Sequence, residues 1–203
     1  MERPVSRTRT RSVPLSVGIA THDQRAMIQS IMQLRMVGQL LQRPVQFFVG
    51  DGGTIPESRN RVVEAIAARY PREEAAWMLW LDSDILIPPD SASTIATAIK
   101  WAESQQVCVV ANYRMVTGQN VLIATREAPF HHYTDEELGT LPKPYPRVAL
   151  AGLGLAYLHQ PLAYRFYSDV TGEDLHFWWD HPDLSIHWID TLHLVHRKAV
   201  LLG

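Results

Sequence analysis

The chain has 203 residues, 46% of them hydrophobic and 20% charged, an ordinary globular composition that can bury one substantial core and makes a single domain the expectation. A formal net charge of -2 removes any global electrostatic case for a nucleic-acid partner. The lone Cys108 excludes an internal disulfide and a cysteine-based metal cluster, and its apolar neighbours in VCVV suggest a buried thiol.

The first eleven residues, MERPVSRTRTR, set Arg3, Arg7, Arg9 and Arg11 against Glu2 alone. Residues 1–12 therefore read as a solvated basic arm, with peripheral contact to an anionic membrane surface as the alternative. No apolar run reaches the roughly 18 residues that span a bilayer, and no signal-peptide core follows the arginines. The expected location is cytoplasmic, with a peripheral membrane position as the variant.

Val13 to Ala20 is a β-rich run ending in the polar trio Thr21, His22 and Asp23. A helical stripe follows, through Met27, Ile31, Leu34 and Leu41 and widened by Ile28 and Val37, and Pro44 stops it. Val45 to Val49 predicts a second strand running into the turn-rich GDGG of residues 50–53. A helix is expected over Ser58–Tyr70, a strand over Trp77–Ile87 closed by Pro88 and Pro89, a helix capped by Asp90 or Ser91 and reaching Ser104, and a strand over Val107–Ala111. Four alternations of strand and helix predict a mostly parallel sheet with helices on both faces.

Residues 112–146 break that rhythm with Pro129, Pro142, Pro144 and Pro146 and read as a long loop or small hairpin region. Order resumes in RVALAGLGLAYL, residues 147–158, where Gly152 and Gly154 suggest a strand that another chain segment or a ligand approaches closely. A short helix over Asp174–Trp179 and a strand over Ser185–Ile189 complete the chain.

Four features carry candidate chemistry. In WMLWLDSD strand alternation puts Asp82 and Asp84 on one face at the carboxyl end of a buried strand, where open α/β sheets bind ligands. Two carboxylates this close suit Mg2+ or Mn2+, or else one of them closes a turn before the prolines. In ESRNR, Arg59 and Arg61 fall in the first turn of the expected helix, against its dipole; a bound phosphate would resolve this, as would an ion pair with Glu57 or Asp82. Glu173 and Asp174 in TGEDLHFWW are good dipole partners at a helix start, and one of them could equally serve as a general base. In WIDTLHLVH either His193 or His196 could complete a metal shell as a neutral imidazole, the alternative being a packing role. No P-loop, G-x-G-x-x-G or G-x-S-x-G stands in the sequence.

In their order along the chain, the first strand with its polar end, SRN at a helix start, LDSD after an apolar strand, the Gly-rich 147–158 run, GED and a final D-x5-H resemble the GT-A glycosyltransferases. The likeness is to the family-2-like inverting enzymes and covers about Pro14 to Lys198. It implies a GT-A α/β fold in residues 13–203, with 13–111 as a nucleotide-binding half and 112–203 as an acceptor-binding half. It also implies transfer of a sugar from a nucleotide-diphosphate sugar, a UDP-sugar before a GDP-sugar, to a hydroxyl acceptor with inversion. Asp84 would ligate Mn2+ or Mg2+ directly, Asp82 would contact ribose or the metal through water, and His196 would touch the metal or the diphosphate. Asp174 would be the base and Glu173 its neighbour that positions the acceptor, while Arg59 would support the nucleotide. Thr21, His22 and Asp23 stand where the family commonly has Tyr-Asn, and Asp51 lies in GDGG where the usual motif is DDGS; these four would face the base. The competing readings are a retaining GT-A transferase, a nucleotidyltransferase on the same metal cradle, and a non-catalytic nucleotide- or sugar-binding module.

Overall fold

The structure, a computed structural model, describes residues 13–21, 28–71, 76–115, 117–159, 165–167 and 173–197. The basic arm, His22 and Asp23 lie outside the described residues. Strand β1 (Leu15–Thr21) leads to helix α1 (Ile28–Leu41), β2 (Val45–Asp51), helix α2 (Ile55–Arg69) and β3 (Trp77–Asp82). The two-residue β4 (Ile85–Leu86), helix α3 (Ala92–Gln105) and β5 (Cys108–Tyr113) follow. The second half holds α4 (Asp135–Thr140), β6 (Arg147–Val148), β7 (Leu155–His159), α5 (Glu173–Asp180) and β8 (Ile186–His196).

These strands form one eight-stranded sheet in the order β2-β1-β3-β7-β5-β8-β4, with β6 also on β8. β1 pairs in parallel with β2 and β3, and β5 with β8, while β7 runs antiparallel between β3 and β5. The main strands thus share one direction apart from β7, as the alternating pattern implies. α2 lies over β1 and β2, whereas α1 packs against α3; the right-handed crossovers from β1 to β2 through α1 and from β2 to β3 through α2 run in opposite directions along the sheet and so put the helices on opposite faces. Every residue of β1 and of β5 is buried, which is why these strands read as continuous apolar runs.

Several boundaries move, each for a local reason. α2 begins three residues before the expected Ser58, because Thr54 accepts from Glu57 N and the Glu57 carboxylate accepts from Thr54 N, a capping box with Pro56 in the first turn. Arg59 therefore sits one turn inside the helix. The strand expected to run from Trp77 to Ile87 ends at Asp82; Ser83 and Asp84 turn, and β4 crosses to pair with the far end of β8. Ser30 of α1 fastens this crossing, donating to Ile85 O at 2.8 Å and accepting from Ile87 N at 2.9 Å.

Ser91 holds the α3 cap position but makes no side-chain capping bond. The expected α1 stripe also shifts: Ser30, Gln33, Leu34, Val37 and Gly38 are buried, and Ile28 is 77% exposed. The 147–158 run is broken at residues 149–154, and the last strand reaches His196, so His193 and His196 stand within β8 rather than after it.

Candidate active site

Thr21, Asp51 and Asp82 end three neighbouring parallel strands, with Thr21 opposite Asp51 and Ala20 opposite Asp82. Ligands of open α/β sheets bind at this carboxyl edge. α2 closes it from one face: Ser58 Oγ donates to Thr21 O at 3.1 Å and accepts from Gly52 N at 2.9 Å. Arg61 Nη1 donates to Asp51 O.

Arg59, only 1% exposed, is the centre of the site. Its Nη2 donates to both Asp82 oxygens at 3.0 and 3.2 Å, and its Nη1 is bonded to Asp174 Oδ1 and lies 3.4 Å from Glu173 Oε1. Trp80 and Phe166 flank the guanidinium, their ring centroids 5.4 and 5.5 Å from its carbon, an arrangement that adds cation–π attraction. Burial works against the Arg59 charge, but Asp174, Asp82 and Glu173 outweigh it and hold its pKa above the ordinary value. The conflict with the helix dipole is thus met by an ion-pair network that includes Asp82.

Asp82 is held by Arg59 and by Trp80 Nε1, which donates to Oδ1 at 3.1 Å. Burial, with the negative charge of Asp174 in support, pushes the Asp82 carboxyl up to about 6 against the opposing pull of Arg59. Asp174 starts α5, and its Oδ2 accepts from Leu153 N at 3.1 Å. Glu173, Asp174, Asp82 and Arg59 therefore converge although up to 115 positions separate them.

Asp84 goes elsewhere. Because β3 ends at Asp82, the alternation that would align the two aspartates is lost, and Asp84 Oδ2 meets His196 Nε2 at 3.2 Å. The β4–β8 register explains this, since Ile85 lies opposite His196. Among the described residues no group of three or more His, Cys, Asp or Glu side chains is placed to hold a metal ion, so Asp82, Asp84 and His196 do not form one such set. His193 is exposed on β8, its ring against that of Trp188 with centroids 6.1 Å apart.

Tyr113 is a residue that motif reading misses. Its ring lies between the two groups, 5.7 Å from the His196 ring, and burial together with Asp174, Asp82 and Asp84 raises its pKa well above the usual tyrosine value. The signal for it was indirect. A Cβ on Gly152 would stand 2.5 Å from the Tyr113 oxygen, and one on Gly154 2.5 Å from its ring; Tyr113 is the close-approaching segment that these glycines imply. Of the other aromatics, Trp178 is wholly buried with Nε1 donating to Ala151 O, and Trp179 Nε1 donates to Arg126 O at 3.0 Å.

No protein-family model and no curated protein matches the sequence. Among solved structures, A197 from STIV is similar with a TM-score of 0.60 and 12% identity, over 90% of this chain and 85% of that one. GalNAc-T7, solved with UDP, GalNAc and Mn2+, matches with a TM-score of 0.49 and 10% identity, and this chain spans 44% of its length. A glycosyltransferase involved in the glycosylation of the major capsid of PBCV-1 follows at a TM-score of 0.38 and 12% identity, over 72% of this chain and 60% of that one. At 12% identity the likeness to A197 is one of fold: the chain is an α/β protein with a central mixed sheet flanked by helices, on a plan it shares with A197.

Proposed function

We propose that the protein is a metal-dependent, inverting glycosyltransferase of GT-A fold, using a UDP-sugar donor and a hydroxyl acceptor. The observation that carries this reading is the convergence of Arg59, Asp82 and Asp174 at the carboxyl edge of β1, β2 and β3. Three segments that resemble separate motifs of one enzyme family meet in one place, where an α/β sheet binds its ligand.

Asp174 is the catalytic base in this reading. Its carboxylate takes the proton of the acceptor hydroxyl as that oxygen forms a bond to the anomeric carbon. The bond from that carbon to the diphosphate oxygen breaks on the opposite face, and its electron pair leaves with the nucleoside diphosphate, which inverts the centre. Glu173 orients the acceptor beside the base. Arg59 is a positioning residue: it holds Asp174 and Asp82 in register, and its burial keeps that geometry rigid. Asp82, with Thr21 and Asp51 along the same edge, faces the nucleoside. His22 and Asp23, which follow Thr21 in the sequence, are assigned the same role.

Of the two ions Mn2+ suits the Asp84 and His196 pair better: a carboxylate oxygen is an ordinary donor to either, whereas an imidazole nitrogen, here 3.2 Å from it, is a donor for first-row transition ions and not for Mg2+. When bound, the ion would neutralise charge on the departing diphosphate.

Thermal-shift titration tests the reading. At about 100 times its Kd a ligand adds about 2.7 kcal/mol, which for a chain of this size raises Tm by roughly 5–10 °C. UDP with Mn2+ is expected to give that rise and UDP alone much less. Asp84→Asn removes the metal-dependent part, and an undiminished part in that variant defeats the metal assignment. Asp174→Asn keeps the UDP shift and loses UDP release from a UDP-sugar, so retained turnover there removes Asp174 as base.

A further inference from the structure

Helix α1 is apolar on its outer side as well as its inner one. Ile28, Met32, Met36 and Leu40 are 77%, 59%, 43% and 49% exposed, and they make up half of the eight large hydrophobic side chains left exposed among the described residues. Spaced four apart, they form one ridge along the helix. The side turned inward carries Ser30, Gln33 and Gly38 beside Leu34 and Val37. That orientation is pinned. Ser30 bonds to Ile85 O and Ile87 N, Gln29 Nε2 donates to Ile87 O at 3.2 Å, and a Cβ on Gly38 would stand 2.2 Å from a Val45 methyl. The helix therefore cannot rotate to bury the ridge against its own sheet, and a helix hydrophobic all round is one that is covered all round.

The composition of the ridge selects its partner. Arg35 is the one charged residue among the 14 of α1, so the run of lysines and arginines that holds an amphipathic helix on an anionic membrane is missing. An uncharged apolar surface is required, and the ridge is itself one. It is also self-complementary. A two-fold axis midway between Met32 and Met36 sets Met32 beside the partner's Met36 and Ile28 beside the partner's Leu40. Two i, i+4 ridges aligned in this way cross at about −50°, the commonest helix packing. Arg35 stands to one side of the ridge, and the two-fold carries the partner's Arg35 to the other side, so the two charges do not meet. The methionines fall next to the axis, where their flexible side chains fill an irregular contact. The four side chains offer roughly 450 Å² per copy, so two copies, with the exposed Arg35 and Gln39 at the margin, reach the ~1,000 Å² of a small specific interface.

We propose that α1 is a homodimer interface, two copies packing antiparallel through Ile28, Met32, Met36 and Leu40. None of the four side chains belongs to the Arg59 cluster, so the dimer stands or falls independently of the transferase reading.

The test is sedimentation velocity on the full chain from about 1 to 200 µM, a range that brackets the micromolar Kd expected of an interface this small. A monomer–dimer equilibrium is expected. Met32→Glu and Met36→Glu each place a carboxylate at a site already exposed in the single copy, so circular dichroism is expected to stay unchanged while Kd rises at least about tenfold. Met32→Cys mixed with Met36→Cys is expected to crosslink under oxidised glutathione more readily than either variant alone, and Cys108, 1% exposed, stays out of the reaction. A chain that remains monomeric over the whole range overturns the proposal. So does a dimer that survives both glutamate variants, or crosslinking no better in the mixture. Flotation with vesicles of phosphatidylcholine and phosphatidylserine runs alongside: a monomer that floats with them, and no longer does so as Met32→Glu, assigns the ridge to lipid and overturns the dimer.

Discussion

Arg59 answers a question that its position in the sequence only raises. A buried guanidinium is costly unless carboxylates surround it, and removing one side of such a network leaves an uncompensated charge worth about 3–5 kcal/mol. Here Asp82, Asp174 and Glu173 all depend on the same cation. The electrostatics also make Asp82 a pH sensor of stability. Its carboxyl holds a proton to about pH 6 in the folded protein, against an ordinary value of 3.8. Its stabilising contribution is therefore fully present below about pH 4 and lost as pH rises through about 6. Wild type is expected to lose Tm relative to Asp82→Asn between pH 4 and 7, measured by paired thermal melts; a constant difference across that window would contradict the assignment. Motif reading picked out Arg59, Asp82, Glu173 and Asp174, and all four meet. It did not pick out Tyr113, because no local pattern marks a tyrosine whose partners lie on other strands.

At the scale of elements, small local devices decide where the site residues point. The Thr54 and Glu57 capping box extends α2 upstream and moves Arg59 from the exposed first turn to a buried position. Thr54→Ala removes one half of the box and is expected to lower stability by about 0.5–2 kcal/mol, measured by urea unfolding. A loss well outside that range would mean that the box is not what sets the helix start. The capping pair is legible in the stretch TIPE itself, where a threonine precedes a glutamate by three positions. The break after Asp82 is different. Alternation alone carries β3 to Ile87, and only Ser30 of α1 and the pairing of β4 with β8 show why the chain turns. Asp82 and Asp84 are separated by contacts from elements remote in sequence. Similarly, residues 112–146 contain α4 and two bridges from Ile123, to His132 and to Leu150, too short and irregular to produce a periodic signal.

For the whole molecule, the sheet order concentrates stability at the centre. β1, β3, β7, β5 and β8 are inner strands paired on both sides, whereas β4 and β6 have two residues each. Local opening draws on the least-buried units first. Amide exchange is therefore expected to be slowest in β1, β3 and β5 and fastest in β4 and β6, so the Asp84 and His196 pair sits beside a part of the sheet that opens more readily than the Arg59 cluster. Uniform protection across all eight strands would refute this hierarchy. No helix among the described residues is long and apolar enough to cross a membrane.

The α/β class and the inner strands followed from the sequence by itself, because strands buried on both faces are written as continuous apolar runs and helices as stripes. The sequence also singles out Arg59, Asp82, Glu173 and Asp174, since strand ends and helix starts are local features. What the tertiary structure alone decided was partnership: that Arg59 is shared by Asp82, Glu173 and Asp174, and that Asp84 belongs to His196. Charge pairing depends on distance through space, and a chain that reverses β7 between β3 and β5 brings together residues whose sequence separation carries no record of that distance.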